Sequence, residues 1–592
     1  MQEQERCASA PTTEDAAAPV AGAIWADLRC LALLVVLVVA VRAWQITHTE
    51  VASRDSISYI RIAWQLEHGP WREVLPSSPQ HPGYPLAVLG MSLPVRHFLP
   101  DDLPHAFQLS GQLVSALASV LLLVPMFYFG REVFDRRIAF WSCVLFQCLP
   151  TSGKIMSDAL SDTLFLLFAC SGLWLATVAL RRRSWWLFAL TGLAGALAYL
   201  TRPEGALILA ATGLVLIGAQ LNRQWRQSWR NVLVGGAALT LTALAIMLPY
   251  MLVIRGLTVK NTPNIMIHQQ RPDADWENRL KPLPPQKDKP QANAAQPGSA
   301  LLAMVWPQGD PRFKTLVKNI KNLNDLQNFR PPQRYLWAIL AMAVELGKGF
   351  FYMVWLPALL GLWWFRDRFR KVPGVWVGSL TCLALSGLLY RMTEKMGYLS
   401  DRHLLLLILC GIYWAVAGTL FLGKKLALGA ARLWPSLAGR RWTDGRAWSL
   451  GLLLLFALAP LPRTLNRLHA ERAGFRSIGH WLAENTDPGD FIEDPYCWAY
   501  YYAGRVFVEG CPGLKMHQPP CFYVVLEESA NRHLRLISLP QALEDVLHER
   551  RAKMIHEEEV RRGRGKKAML QVWEVPGPYH WTPLPPLPGL RN

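Results

Sequence analysis

The amino-acid sequence predicts a multipass α-helical membrane protein with about 11 transmembrane helices and a small α/β domain outside the membrane. Hydrophobic residues make up 52% of the 592 residues, and apolar runs of about 20 residues, long enough to cross a bilayer, recur as far as residue 463. Beyond residue 464, short helical and strand patterns replace these runs. Composition and apolar patterning therefore exclude a soluble globular enzyme.

Each predicted span is an apolar run close to the roughly 20 residues that a membrane helix needs. The eleven runs, which form the membrane body 26–463, cover residues 26–46, 106–129, 137–152, 157–180, 185–201, 204–221, 231–254, 335–364, 373–391, 403–422 and 447–463.

The leader 1–25 is Ala-rich and acidic rather than short and basic, so we predict a disordered cytoplasmic segment and not a cleavable signal peptide. The first helix is then expected to stay as an anchor.

Lys and Arg are concentrated in alternate short loops, those that follow the second, fourth, sixth, eighth and tenth spans. Because basic loops are retained in the cytoplasm, this pattern predicts a cytoplasmic amino terminus and an extracytoplasmic carboxyl terminus. We expect the membrane to be a bacterial inner or plasma membrane. The same loops account for much of the formal net charge of +19, so the charge reflects orientation and does not indicate nucleic-acid binding.

Two long segments between the spans are predicted to lie on the outer side. The first outer loop, 47–105, has an apolar stripe over 57–66 and a short apolar run over 85–98, which indicate two helices lying along the membrane surface. The long outer loop, 255–334, is rich in proline in its first half. Proline among polar residues argues against a packed core, so we expect a mobile flap there.

The region 464–592 has the pattern of a small α/β domain followed by a Pro-rich tail. Its predicted elements are a helix over 475–484, an aromatic run over 498–502, a strand over 522–526, a helix over 539–550 and a strand over 569–575. Cys497, Cys511 and Cys521 fall in this region, where an oxidising outer compartment would permit one disulfide. Their spacing does not indicate which two would pair.

Four polar motifs follow one another in the first third of the chain. They are Arg54-Asp55-Ser56-Ile57-Ser58-Tyr59, His81-Pro82-Gly83-Tyr84-Pro85, Ser161-Asp162-Thr163-Leu164-Phe165 and Leu200-Thr201-Arg202-Pro203-Glu204-Gly205. Their order resembles the GT-C membrane glycosyltransferases, the superfamily that includes protein O-mannosyltransferases and the lipid A aminoarabinose transferase. The resemblance covers roughly residues 26–221, and Tyr398-Leu399-Ser400-Asp401-Arg402-His403 before the tenth predicted helix is a further partial match.

The resemblance implies a GT-C-like membrane body that takes a hexosyl or pentosyl unit from a polyprenyl-phosphate-linked donor. The sugar would pass, with inversion at the anomeric carbon, to a protein, lipid or glycan acceptor on the outer face, so the lipid-linked donor and membrane lipids are the implied partners. Members of the superfamily use an acid in the first outer loop as base or metal ligand, a role that falls on Asp55. Many relatives carry a second acid directly after it, where this chain has Ser56, and this departure counts against a metal.

Glycosyl transfer to a hydroxyl needs a base near the acceptor and positive charge near the departing phosphate. We therefore predict Asp55 as the base and Arg202 as the main phosphate-binding residue, because a guanidinium offers forked donors to phosphate oxygens. Arg54, Lys395 and Arg402 are further candidates for the phosphate. The alternative role of Asp55 is a helix cap, and that of Arg202 is an anchor at the membrane surface.

Asp158 and Asp162 are four residues apart and share one face at the outer start of the fourth predicted helix. Since two carboxylates repel each other, we expect a cation between them: Lys154, Arg202, or a magnesium or manganese ion shared with Asp55. Both acids are therefore candidates for catalysis and for metal binding. In the alternative interpretation, one of them caps the helix and the other is solvated.

Four further residues are predicted to contact substrate: His81, Tyr59, Tyr84 and Glu204. His81 could orient a hydroxyl or simply end a loop. The two tyrosines could stack on a sugar, but the more conservative interpretation places them in the aromatic belt at the membrane surface. Glu204 is placed to pair with Arg202 or to bind hydroxyls of the donor or acceptor.

Two other classes of function stay open from the residues alone. A lipid-linked glycan flippase or permease would line a path through the membrane with charge, but charged residues inside the predicted spans are few, chiefly Glu345 and Lys348. A surface polysaccharide polymerase or ligase would depend on the long outer loop. The sequence has no phosphate-binding Gly-Lys-Ser loop and no dinucleotide fingerprint, which favours a lipid-linked donor over a nucleotide sugar.

Overall fold

The computed structural model describes residues 21–259, 331–396, 399–433, 445–494, 496–509, 511, 514–515, 517, 521–527, 547–548, 550–562 and 566–576. The leader up to residue 20, most of the long outer loop and the Pro-rich tail lie outside these residues, as do residues 539–546 of the helix predicted over 539–550. The disordered leader, the mobile flap and that helix therefore stay predictions.

Helices form where the sequence has apolar runs or amphipathic stripes, and strands are confined to the carboxyl-terminal region. The α-helices within the described residues are α1 (Ala21–Thr47), α2 (Arg54–His68), α3 (Trp71–Ser77), α4 (Gly83–Phe98), α5 (Leu103–Val133), α6 (Arg136–Cys148), α7 (Pro150–Ile155), α8 (Asp162–Arg182), α9 (Trp185–Thr201), α10 (Ala206–Gly218), α11 (Trp229–Ile254), α12 (Pro331–Gly349), α13 (Trp355–Trp364), α14 (Arg368–Lys371), α15 (Pro373–Met396), α16 (Leu405–Leu433), α17 (Gly445–Leu458), α18 (Leu461–Thr464), α19 (Ala473–Asn485) and α20 (Trp498–Tyr502). The strands are β1 (Phe491–Glu493), β2 (Phe522–Glu527), β3 (Lys553–Arg562) and β4 (Lys566–Val575).

The predicted class is confirmed, because eight helical segments within the described residues are long and apolar enough to span a membrane. They are built on α1, α5, α8, α10, α11, α15, α16 and α17.

The predicted count of eleven transmembrane helices is not confirmed. The run 137–152 breaks into α6 and α7 because Leu149 adopts the extended backbone that a following proline favours. The run 335–364 breaks where Phe351 and Tyr352 have φ angles of 52° and 57°, and α9 has 17 residues.

Two charged residues of α1 that the sequence did not single out are buried inside the helix bundle. Asp27 is 2% exposed and pairs with Arg131 and Arg136, so that α1, α5 and α6 are joined at one end. Arg42 is also 2% exposed and donates a hydrogen bond to Gln45 at 2.7 Å. Charged residues within the membrane body are therefore more numerous than the sequence indicated. Asp27 is paired with arginines and Arg42 is hydrogen-bonded to neutral groups, because charge without polar partners is costly there.

One end of the bundle, called the outer end below after the predicted orientation, is covered by α2, α3 and α4. The described residues of 464–592, called the outer domain below, pack against this layer. Ile57 and Ile60 on the stripe of α2 are buried in the same hydrophobic cluster as Phe475 and Tyr501 of that domain. Protein, and not the lipid interface, therefore covers the stripe predicted over 57–66. The first outer loop and the outer domain share one core.

Hydrogen bonds hold the outer domain against the first outer loop and against α5. The Tyr502 hydroxyl donates to the side chain of Gln108 at 2.7 Å and accepts the backbone N–H of Ala52 at 2.8 Å. Thr49 and Leu468 form a parallel β-bridge. The chain that follows the last span is thereby held beside the chain that follows the first.

The outer domain contains a four-stranded sheet in the order β1-β2-β4-β3. β1 runs parallel to β2, whereas β4 is antiparallel to both β2 and β3. β2 is buried along its whole length, which explains why its apolar run was a clear strand signal. β3 was not predicted, because most of its residues are charged, as is common for a strand at the edge of a sheet.

The three cysteines of the outer domain all lie within the described residues and are free thiols. Cys497 directly precedes α20, and Cys521 directly precedes β2. The disulfide that an oxidising compartment would permit is not formed in this arrangement. Cys497 and Cys521 lie at the starts of two different elements, α20 and β2.

Replacing Gly361 with alanine is expected to destabilise the fold. Gly361 and Gly418 bring α13 and α16 into backbone contact, and a methyl group at these positions would overlap the carbonyl oxygens of Trp414 and Pro357, respectively. Overpacking of this kind costs about 1–3 kcal/mol, so Gly361→Ala should lower the melting temperature in detergent. Gly451→Ala is the control, because its added methyl would have no neighbouring atom within 4 Å. Equal melting temperatures for the two variants would contradict the close helix packing.

Candidate functional site

The three predicted acids lie together where the outer ends of α2, α8 and α16 meet the segment after the last span. Each acid bonds a different basic side chain: the pairs are Asp55 with Arg402, Asp158 with His469, and Asp162 with Arg202. Two further contacts join the elements, since the Ser56 hydroxyl donates to Asp158 at 3.4 Å and the Tyr59 and Ser161 hydroxyls are 2.7 Å apart. These three pairs are called the acidic cluster below.

Asp55 lies in the first turn of α2 and does not cap the helix. The cap is Ser53, whose hydroxyl oxygen accepts the Ser56 N–H at 3.3 Å. The Asp55 carboxylate instead accepts from the Arg402 guanidinium at 2.5 Å. The pKa of Asp55 is lowered, chiefly by the charge of Arg402 and less by that of Arg54, although burial opposes the shift. The helix-cap interpretation is therefore wrong, and Asp55 is ionised at neutral pH.

Asp158 is buried and bonds a residue that the sequence did not single out. Its Oδ1 accepts the backbone N–H of Ala159 at 2.8 Å, and its Oδ2 is 2.8 Å from Nε2 of His469. The β-bridge between Thr49 and Leu468 places His469 at the outer end of the bundle. Asp158 is therefore neither a solvated surface acid nor the cap of α8.

Asp162 begins α8 and is buried against Arg202 at the end of α9. Arg202 also contacts Glu204, with Nη2 3.3 Å from Oε1, as the sequence spacing predicted, and lies 5.8 Å from the ring centre of Phe165. Only 10% of the Arg202 side chain is exposed, so Arg202 is not an anchor that points to the membrane surface. The second carboxylate oxygen of Asp162, Oδ2, has no hydrogen-bond partner among the described residues.

Both predicted tyrosines are buried within protein. Tyr59 is 4% exposed and Tyr84 is 0% exposed, and the Tyr84 hydroxyl donates to the carbonyl of Gly111 at 2.8 Å. The aromatic-belt interpretation is therefore wrong, because neither ring faces lipid. Burial raises the pKa of Tyr59 to about 12, so its hydroxyl stays protonated and bonds Ser161 beside the acidic cluster.

The remaining predicted residues occupy two different environments. His81 is buried against the rings of Tyr199 and Tyr250, at centroid distances of 5.1 and 5.2 Å, and its Nε2 is 3.1 Å from the Thr258 hydroxyl. Lys395 is exposed near the outer end of α15. His81 is thus a packed residue and not merely the end of a loop, while the Lys395 side chain is accessible to solvent.

The predicted magnesium or manganese site at Asp55, Asp158 and Asp162 is not formed by this geometry. Their oxygens do not converge into a set that could hold one ion; among the described residues, such a set is formed by Asp490, His517 and Cys521 in the outer domain. The physical reason is that each of the three acids is bonded to a separate basic side chain.

Two histidines at the acidic cluster were missed from the sequence. His469 belongs to no recognisable motif, and the one available signal was the prediction that the chain after residue 463 lies on the outer side. His403 follows Arg402 in the partial motif; its Nδ1 accepts the Ser400 N–H at 3.3 Å, and its ring interacts electrostatically with Arg402. Proximity to a predicted cationic residue could have drawn attention to His403.

A profile of the dolichyl-phosphate-mannose-protein mannosyltransferase family matches residues 104–251. This range includes Asp158, Asp162 and Arg202, but it does not reach Asp55 or Arg402. Among curated proteins, none matches the chain.

Solved membrane proteins resemble the chain in structure. The archaeal oligosaccharyltransferase AglB from Archaeoglobus fulgidus, in complex with an inhibitory peptide and a dolichol-phosphate, has a TM-score of 0.50 and 13% identity over 82% of this chain and 64% of its own. ArnT from Cupriavidus metallidurans, bound to undecaprenyl phosphate, has a TM-score of 0.46 and 14% identity over 92% of this chain and 97% of its own. The similarity to AglB is one of fold, and this chain spans 64% of that protein. The family match and the fold confirm the resemblance to the GT-C superfamily of membrane glycosyltransferases.

Arg202→Met is expected to destabilise the protein more than removal of the whole ion pair with Asp162. The single change leaves Asp162 buried without its cation, which costs about 3–5 kcal/mol. The double variant Arg202→Met, Asp162→Leu should recover part of this loss in thermal unfolding. Arg467→Met is the control and should cost less than about 1 kcal/mol, because the Arg467–Glu50 pair is exposed. A double variant no more stable than the single one would contradict the assignment.

Proposed function

We propose that this protein is an inverting glycosyltransferase that moves a hexose or pentose from a polyprenyl-phosphate-linked donor to a protein, lipid or glycan acceptor on the extracytoplasmic face. The observation that carries the proposal is the acidic cluster, which places an ionised, partly exposed carboxylate beside two arginines at one end of the helix bundle. The family match supports sugar transfer. AglB, which has a similar fold, was solved with dolichol-phosphate, a polyprenyl phosphate, and this supports a lipid-linked donor.

Asp55 is the proposed base because it is the most accessible acid of the cluster. Its side chain is 30% exposed, compared with 6% for Asp158 and 3% for Asp162. An acceptor hydroxyl can therefore reach Asp55. In this proposal the two buried acids hold His469 and Arg202 in position.

Arg402 and Arg202 are proposed to bind the donor phosphate. The two guanidinium groups are close enough to interact electrostatically, so they concentrate positive charge at one place. When a phosphate takes over part of the bonding of Arg402, the Asp55 carboxylate loses part of its ion pair and becomes a stronger base. Arg54 and Lys395 are proposed to attract the anionic headgroup from further out.

In the proposed step, the acceptor oxygen attacks the anomeric carbon on the face opposite the phosphate. Asp55 takes the hydroxyl proton while the bond between the anomeric carbon and the phosphate oxygen breaks, and the electron pair of that bond leaves with the polyprenyl phosphate. The arginines stabilise the negative charge on the departing phosphate. Glu204, beside Arg202, is proposed to bind hydroxyls of the transferred sugar.

The proposed orientation places the acidic cluster and the outer domain on the extracytoplasmic side. Asp162 begins α8 at the cluster, whereas Arg181 and Arg182 end the same helix. Arg131 likewise lies in the last turn of α5, where it pairs with Asp27. Since basic residues at helix ends are retained in the cytoplasm, the end opposite the cluster is the cytoplasmic one.

Asp55→Asn is expected to lower the transfer rate by about 10²–10⁴-fold, because an amide cannot accept the hydroxyl proton. Transfer is measured by mass spectrometry in liposomes that contain undecaprenyl- or dolichyl-phosphate-linked hexoses and pentoses, and lipid binding by native mass spectrometry. Folding and lipid binding should be retained. Asp101→Asn, which changes an exposed acid of the same outer loop, is the matched control and should remain active. Wild-type activity in Asp55→Asn would refute the proposed base.

Arg402→Gln is expected to move the acidic limb of the pH–rate profile to higher pH. The Arg402 charge lowers the pKa of Asp55; without that charge the pKa rises, so more of the base is protonated and inactive at a given acidic pH. The profile of the residual activity is compared with that of Arg402→Lys, which keeps the charge and should keep the limb near its wild-type position. If the limb of Arg402→Gln stays in place, Asp55 is not the titrating base.

A further inference from the structure

Three chemically different ligand groups converge in the outer domain, immediately before β1 and β2. They are the carboxylate of Asp490, the imidazole of His517 and the thiol of Cys521, whose ligand atoms all lie within 4.8 Å of one another. Asp490 Oδ2 is 2.6 Å from Nδ1 of His517, and Asp490 Oδ1 accepts the backbone N–H of Cys521 at 3.2 Å. Residues distant in the sequence are thus gathered around one buried carboxylate.

The group is both held in place and accessible. The Asp490 side chain is 0% exposed, whereas 45% of the His517 side chain is exposed, which leaves a route for an ion. The backbone N–H of Asp487 donates to Asp490 Oδ2 at 2.9 Å, and the N–H of Phe491 donates to the carbonyl of Cys521 at 3.0 Å. These bonds fix the carboxylate and the cysteine backbone beside each other without the help of an ion.

We propose that Asp490, His517 and Cys521 bind one divalent ion of the zinc class. Thiolate and imidazole are ligands that zinc prefers, whereas magnesium and calcium select oxygen ligands. Ligand atoms around a tetrahedral zinc are roughly 3–4 Å apart. The Asp490 Oδ2–His517 Nδ1 distance of 2.6 Å therefore has to open by about 1 Å, while the longer separations, all below 4.8 Å, shorten by about 1 Å. A fourth position is available to solvent or to Asp487, whose Oδ2 is 3.6 Å from Nδ1 of His517.

An ion at this position joins the starts of two paired strands. Asp490 directly precedes β1 and Cys521 directly precedes β2, which run parallel with Phe491 opposite Phe522. The ion therefore stabilises this strand pair and, through it, the outer domain. This is a structural role, separate from the acidic cluster.

The test uses the full-length protein in detergent, first stripped with a chelator and then titrated with zinc chloride or cobalt chloride. One ion should bind per chain, cobalt should produce the near-ultraviolet absorption of a thiolate ligand, and zinc should raise the melting temperature. Cys521→Ser and His517→Gln should each weaken binding by at least about tenfold. Cys497→Ser and His480→Gln are the matched controls in the same domain and should bind as wild type does.

A second measurement needs no variant. Zinc should protect Cys521 of the wild-type protein from iodoacetamide, measured by peptide mass spectrometry, and should leave the alkylation of Cys497 and Cys511 unchanged. The proposal is overturned if no ion binds, if Cys521→Ser and His517→Gln bind as tightly as wild type, or if Cys521 is not protected. None of these measurements depends on glycosyl transfer, so this proposal and the proposed function can fail separately.

Discussion

Ionised carboxylates at the end of a membrane helix bundle need cationic partners, because the surroundings solvate charge poorly. In the acidic cluster Arg402 meets this requirement for Asp55, Asp158 is bonded to the imidazole of His469, and Arg202 meets the requirement for Asp162. The three partners come from the turn before α16, from the segment after the last span and from the end of α9. These contacts bring distant parts of the chain together at one end of the bundle, and they leave Asp55 as the most exposed of the three acids.

The outer domain is part of this arrangement and not an independent appendage. Its aromatic residues share a core with α2, and Tyr502 bonds both Ala52 and Gln108. The same docking brings His469 to Asp158. The domain thus has two effects on the proposed reaction: it supplies a residue to the acidic cluster, and it supports the helix that carries Asp55. Its place beside the cluster also suits contact with an acceptor.

The parts of the candidate site that could be predicted were those with a local signal. Asp55, Asp162 and Arg202 stand in short polar motifs that interrupt or end apolar runs. The sequence favoured the aromatic belt for Tyr84, whereas its ring is buried in protein. A tyrosine near a predicted membrane surface has the same sequence pattern in both environments. His469 had no such signal, since its partner Asp158 is 311 positions away.

By itself, the sequence determined the membrane class, most of the helical segments, the basic loops and the buried strand β2, because hydrophobicity and charge act over neighbouring residues. Only the tertiary structure decided which acid meets which base, where the run 335–364 breaks, and that protein rather than lipid covers the stripe of α2. These outcomes depend on packing and electrostatic contacts between residues far apart in the chain. Local patterns do not contain that information.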